Sequence, residues 1–294
     1  MAFPWPTFTK SFHSSIYPAI DPSNPALSVK SKIILVTGGG KGVGKHIATV
    51  FATAGASTVV ILGRATSSLQ AAEKDISAAA VSFGHETIAR SFAVDICDAE
   101  AVSRTVRTVC EEFGTIDVFV HNAGDLQLGT IESSNAEEYW HSFEVNVKGT
   151  LNCMQAFTRF GVRADDTTPP TFINVSTMGI HMAPVPTMSA YSASKLAAWK
   201  MAEYLHVEMG AKLRVFSIHP GRIETDMSRR AGIPAADDKE LPGAFCLWLA
   251  ATPGVDFLRG RMLTSNWDVS ELLERKDEIV EKDLLVMTLA GWRE

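Results

Sequence analysis

Cysteine is scarce in this chain and lacks any pattern. The 294 residues include Cys97, Cys110, Cys153 and Cys246, separated by 13, 43 and 93 positions, with no CxxC pair and no adjacent histidine pair to complete a zinc site. That spacing excludes a disulfide scaffold and a zinc module, leaves no expected metal, and reads as free thiols in a reducing compartment. Long apolar runs are also missing: nothing approaches the roughly 18 to 20 residues that span a membrane. The opening stretch MAFPWPTFTKSFHSS has neither an apolar signal core nor an arginine. A cytoplasmic protein without a membrane partner is therefore expected. There is no excess of positive charge, since 27 Lys and Arg stand against 33 Asp and Glu, and this balance offers nucleic acid no broad docking surface. Gly at 21 and Pro at 13 exclude collagen-like and low-complexity sequence. What remains is 46% hydrophobic and 20% charged, enough to bury a sizeable core.

Residues 1–30 carry five prolines and no sustained periodicity, so they read as an extended arm lying on the domain or partly disordered. Order begins at Lys32–Val36, a short apolar run suited to a strand buried on both faces. Further strands are expected at Val59–Leu62, Ala89–Val94, Val118–His121, Phe172–Val175, Arg214–Ile218 and Arg261–Thr264. Helical patterns separate most of them, among them His46–Ala54, Ser67–Phe83 and Leu196–Met209. This alternation predicts an α/β fold of three layers, a doubly wound parallel sheet of Rossmann type in a single domain over residues 31–265. The tail from Asn266 onward predicts a charged helical stretch over Val269–Lys282 and a second over Leu284–Leu289.

After the first strand, Thr37-Gly38-Gly39-Gly40-Lys41-Gly42-Val43-Gly44 opens a helix. Glycines let a backbone turn tightly against a pyrophosphate, and a helix N-terminus offers it unpaired N–H groups. The next strand ends Ile61-Leu62-Gly63-Arg64-Ala65, without the carboxylate that usually holds the ribose 2′-hydroxyl of NAD. Arg64 and Lys41 are instead positioned to flank a 2′-phosphate, which predicts NADP(H) as cofactor. Farther along, Tyr191 and Lys195 are four apart and share one face of a helix. An ammonium close to a phenol favours the phenolate and lowers its pKa, which suits Tyr191 to acid–base work.

Together these segments resemble the classical short-chain dehydrogenase/reductases over about residues 31–265. Their TGxxxGxG pattern matches Thr37, Gly38, Gly42 and Gly44, with Val43 inside it, and their YxxxK pair matches Tyr191 and Lys195. Their NNAG element is present as His121-Asn122-Ala123-Gly124, with His in place of the first Asn. The acidic residue that meets the adenine matches Asp95, and the active-site asparagine matches Asn146. Pro220 and Gly221 match the motif after the sixth strand, with Ile223 beside them and Thr225 placed to meet the nicotinamide carboxamide. The family strand that ends N-x-S-S appears as Asn174-Val175-Ser176-Thr177, so either Thr177 or Ser176 is the catalytic hydroxyl, strand register favouring Thr177.

The resemblance implies hydride transfer between NADP(H) and a carbonyl or secondary alcohol of a small, moderately apolar molecule. In that scheme Tyr191 protonates the carbonyl oxygen and Lys195 holds the ribose. Thr177 or Ser176 polarises the carbonyl, and Asn146 positions a water. It also implies a homodimer or homotetramer built on the helices that bear Asn146 and Tyr191, and a substrate lid near residues 226–240. Two other functions stay open: a non-redox isomerisation or cyclisation on bound nucleotide, and a nucleotide-binding regulator without turnover. Residues 266–294 extend past the usual family length and are expected to cover the domain or a neighbouring subunit near the active-site mouth.

Overall fold

In the computed structural model, which describes residues 7–162 and 168–289, β1 spans Ile33–Thr37 and is buried along its length. Its side chains divide by parity, as a strand requires. Ile34 and Val36 face one apolar cluster, while Ile33 and Leu35 face another. The same division repeats on β2 (Thr58–Gly63), where Val59 and Ile61 point one way and Val60 and Leu62 the other. Two cores, one on each face of a sheet, explain why these strands read as unbroken apolar runs.

The first core is filled from α1 (Gly42–Thr53) and α2 (Thr66–Ser82), the latter contributing Leu69, Ala72 and Ile76. β3 (Ile88–Ala93) lies at the sheet edge, where Arg90 and Ser91 are tolerated. The second core is filled from α3 (Ala99–Phe113), which begins at an Asp98 cap that accepts the Ala101 N–H at 2.9 Å. β4 (Val118–His121) follows, then α4 (Ala136–Phe143), a five-residue π-helical turn over Glu144–Lys148, and α5 (Gly149–Phe160). Across the sheet come β5 (Thr171–Val175), α6 (Ser189–Met209), β6 (Arg214–His219) and the short α7 (Asp226–Arg230). The apolar α8 (Leu241–Ala251) leads to β7 (Met262–Thr264). Each fully buried Leu, Ile or Phe in these layers contributes about 1.5–3 kcal/mol of transfer free energy.

The sheet has seven strands in the order β3-β2-β1-β4-β5-β6-β7, every neighbour parallel. The order reverses between β1 and β4, so the crevice beyond their carboxyl ends is where an open α/β sheet takes its ligand. Thr37 and His121 are the last residues of those two strands.

The arm and tail are packed against one another, as far as they are described; residues 1–6 of the arm and 290–294 of the tail lie outside the described residues. Glu271 accepts the backbone N–H groups of Lys10 and Ser11 at 2.6 and 2.8 Å, and His13 meets Asp268 at 2.8 Å. The Arg275 guanidinium lies over the Phe8 ring, 3.5 Å from its centroid. The single helix expected over Val269–Lys282 is two, α9 (Val269–Glu274) and α10 (Lys276–Glu281), parted at Arg275. Leu284–Leu289 is not helical, because the chain turns through positive φ at Asp283 and Leu285. The Leu285 carbonyl instead accepts the Met262 N–H beside β7. Met287 then packs with Met178, Trp199, Met262 and Ile180, which puts the tail beneath the loop that follows β5. No helix among the described residues is long and apolar enough to cross a membrane.

Candidate active site

The glycine turn is shaped by close approach. Gly38 has φ +66°, a conformation that costs a side chain strain. A Cβ at Gly44 would overlap the Asn122 amide and the Gly38 carbonyl, so α1 can start this close to β4 only with glycine there. Lys41, at the N-cap of α1, supplies no side-chain cap. The first turn thus faces the crevice with its N–H groups uncapped by any side chain, which fits a pyrophosphate. Asn122 and Ala123 are pinned to this turn, both donating their N–H to Thr37 Oγ1 at 3.0 Å. At Gly124 an added Cβ would stand 3.1 Å from both Asn146 Oδ1 and Lys195 Nζ, so a side chain there would crowd both groups.

On α6, Tyr191 and Lys195 share a face as their spacing requires. Lys195 is 6% exposed and donates to the Val175 carbonyl at 2.9 Å. Burial pulls its pKa down to about 8. The Tyr191 phenol is hydrogen-bonded to Thr177, which works to lower its pKa, yet burial outweighs this and pushes it up to about 12. This departs from the expectation that Lys195 would depress the phenol. The lysine head is turned to the β5 carbonyl, and desolvation dominates at Tyr191.

Thr177 and Ser176, indistinguishable by counting, lie in different surroundings. Thr177 Oγ1 accepts the Gly179 N–H at 3.1 Å and meets Tyr191. Ser176 is 3% exposed, and its hydroxyl has no hydrogen-bond partner among the described residues. Asn146 sits in the π-helical turn with its amide fully engaged. Oδ1 accepts the Asp125 N–H at 2.9 Å, while Nδ2 donates to the Asp125 carbonyl at 2.8 Å and to Ser194 Oγ at 2.9 Å. The amide therefore ties the loop after β4 to α6, while the Asn146 main-chain carbonyl accepts the Thr150 hydroxyl at 2.5 Å. Sequence reasoning missed Ser194, Thr150 and the Val175 carbonyl. Ser194 alone left a signal, as the residue immediately before Lys195.

The two expected phosphate cations differ. Arg64 is exposed and forms no ion pair among the described residues. Lys41 instead meets Asp226 at 2.6 Å, and Asp226 also pairs with Arg229. Asp95 holds the turn after β3 through the Cys97 N–H at 2.9 Å. Beyond β6, Pro220 is half-buried, Gly221 has φ +88°, Ile223 is buried, and Val43 packs partly into the core. Thr225 caps α7 by exchanging bonds with Ser228. The loops after β4 and β5 meet where the Gly129 N–H donates to the Thr187 carbonyl at 2.9 Å. Leu128, Ile131 and Val185 are exposed there.

Comparison with known proteins agrees with this geometry. The short chain dehydrogenase family model matches residues 32–234. The chain is 33% identical to the short chain dehydrogenase pigC of Monascus ruber over 292 residues, covering 94% of this chain and 92% of that protein. Among solved structures, the Pseudomonas aeruginosa RhlG/NADP active-site complex superposes with a TM-score of 0.72 at 25% identity, covering 82% of this chain and 97% of that one. The 3-oxoacyl-[acyl-carrier protein] reductase of Brucella melitensis in complex with NAD shares the fold, with a TM-score of 0.71 at 24% identity over 81% of this chain and 97% of that one.

Proposed function

Because this chain belongs to the classical short-chain dehydrogenase/reductase family of oxidoreductases, we propose that it moves a hydride between NADP(H) and a carbonyl or secondary alcohol of a small, moderately apolar molecule. The observation that carries the reading is the Tyr191 phenol, hydrogen-bonded to Thr177 and one helical turn from Lys195, beside the uncapped glycine turn. When bound, the nicotinamide supplies the hydride chemistry; the protein supplies placement and proton handling. Thr177 holds the carbonyl oxygen and Tyr191 gives it a proton. Lys195 has N–H groups beyond the one bonded to Val175 with which to hold the ribose. The Asn146 carbonyl directs the water that returns a proton. The turn from Thr37 to Gly44 with Asn122, Ala123 and Gly124 holds the dinucleotide, with Asp95 toward the adenine and Pro220, Gly221, Ile223 and Thr225 toward the nicotinamide. Arg64 takes the 2′-phosphate, joined by Lys41 once it leaves Asp226.

Exposed Leu128, Ile131 and Val185, on the loops that follow β4 and β5, support an apolar substrate. Exposed Leu151, Tyr204 and Val207 on α5 and α6 support a homo-oligomer assembled on those helices. The test is consumption of NADPH during a screen of carbonyl compounds. Loss of NADPH matched by alcohol formed supports the reading; product made with no net change in the nicotinamide moves it to isomerisation or cyclisation.

The two hydroxyls separate by substitution. Thr177→Ala is expected to lower kcat by about 100-fold or more, the usual cost of one donor to a developing oxyanion, with cofactor affinity unchanged. Ser176→Ala is expected to stay within about twofold of wild type, because its hydroxyl faces no reacting group. The reverse ranking would assign the carbonyl to Ser176.

The pH dependence of reduction has a definite sign. Tyr191, at about 12, keeps its proton throughout the working range, while Lys195 loses its own near pH 8. The kcat/KM for reduction reports the free enzyme, so it is expected to be level below about pH 7 and to fall on the alkaline side with an apparent pKa of about 8. A profile that is level to about pH 10 would contradict this assignment.

A further inference from the structure

The position where this chain departs from the family's NNAG element is His121, fully buried at the end of β4. Its ring nitrogens meet two hydroxyls, Nδ1 at 3.3 Å from Thr37 Oγ1 and Nε2 at 2.8 Å from Thr150 Oγ1. Donor inventory fixes each proton. Thr150 Oγ1 donates its one hydrogen to the Asn146 carbonyl at 2.5 Å, because a carbonyl only accepts. Toward His121 it must therefore accept, which places a hydrogen on Nε2. At the other end Thr37 Oγ1 already accepts the Asn122 and Ala123 N–H groups. Its own hydrogen goes to Nδ1, which must be bare. Every hydrogen in the row then has an assigned acceptor, and Thr37, Thr150 and Asn146 are each no more than 1% exposed.

We propose that His121 is a positioning residue: locked as the neutral Nε2–H tautomer, it sets the direction of the Asn146 carbonyl through Thr150 and couples that carbonyl to Thr37 at the head of the glycine turn. The proposal rests on the hydride-transfer reading above, in which that carbonyl directs the returning water. An imidazolium does not fit, since a hydrogen on Nδ1 would point at a hydroxyl whose acceptor capacity is spent. Burial and the nearby Lys195 charge agree with this, holding the ring's pKa down near 3. Phe172, nearly parallel to the imidazole at 6.3 Å between centroids, flanks it with an apolar surface. The family's asparagine reaches only as far as Nδ1 does, so histidine adds the bond to Thr150.

Two measurements decide it. In wild type labelled with nitrogen-15 histidine, the His121 resonances are expected to carry a proton on Nε2 alone at neutral pH; a proton on Nδ1, or on both nitrogens, overturns the assignment. In kinetics, Thr150→Val, nearly isosteric, is expected to lower kcat about tenfold with substrate KM within about twofold, the signature of a displaced group and not of lost binding. Thr150→Ser restores the hydroxyl and is expected to recover kcat to within about twofold of wild type. Thr150→Val at the wild-type rate, or Thr150→Ser as slow as the valine variant, refutes the positioning role. Absence of nicotinamide-linked turnover in wild type would sink the hydride-transfer reading instead, and the nitrogen resonances would still decide the tautomer.

Discussion

Replacing Tyr191 with Phe is expected to lower kcat by roughly 10³-fold, within the range for removing a positioned general acid. The substitution deletes one oxygen from a half-buried ring on α6 and leaves Lys195, with its bond to the Val175 carbonyl, in place. Cofactor affinity and melting temperature should therefore remain close to wild type. Thr177 still meets the carbonyl oxygen but gives it no proton, so the loss appears in kcat more than in KM. Measured turnover within about tenfold of wild type would remove Tyr191 from the reaction.

Arg64→Asp is expected to invert the choice of cofactor. Arg64 lies just beyond β2, at the place where NAD-binding relatives of the fold carry an acid. A charge-assisted bond to a phosphate is worth about 1.5–3 kcal/mol, so deleting it and adding a like charge should change the NADPH-to-NADH ratio in kcat/KM by about 100-fold or more. Lys41 does not rescue the selectivity by itself: its exposed pair with Asp226 yields to a phosphate, but one cation beside the new carboxylate leaves no net positive charge at the site. Steady-state kinetics with both cofactors reads the ratio; an unchanged ratio would assign the 2′-position to other residues.

Features encoded locally were legible in the sequence. The glycine turn, the Tyr191–Lys195 pair and the apolar strands each depend on neighbours a few positions away, and β4 runs over Val118–His121 as its pattern suggested. Where the outcome depended on distant partners, the sequence was silent or misleading. Counting from Asn174 or Gly179 does not separate Thr177 from Ser176, because the distinction lies in α6, which brings Tyr191 to one and not the other. The expected phenol shift failed for a related reason: helical spacing puts Lys195 on the right face, but its ammonium donates to the Val175 carbonyl on β5, and burial dominates at the phenol. His121 read as a simple departure from a motif, since its partners come from β1 and α5. The tail helix divides at Arg275, whose side chain is drawn to Phe8, a residue no local window includes.

The pairing of arm and tail bears on how the chain acquires its structure. Phe8 and Arg275 are 267 positions apart, and Ser11 and Glu271 are 260 apart. A growing polypeptide has made the sheet strands β1 to β7 before these partners exist together, so the arm waits unpaired while the domain condenses behind it. Contacts of such long range pay the largest loop-closure entropy and form late. The arm is thus a seal added to a finished stack of layers, and its release should precede, not accompany, the loss of the sheet.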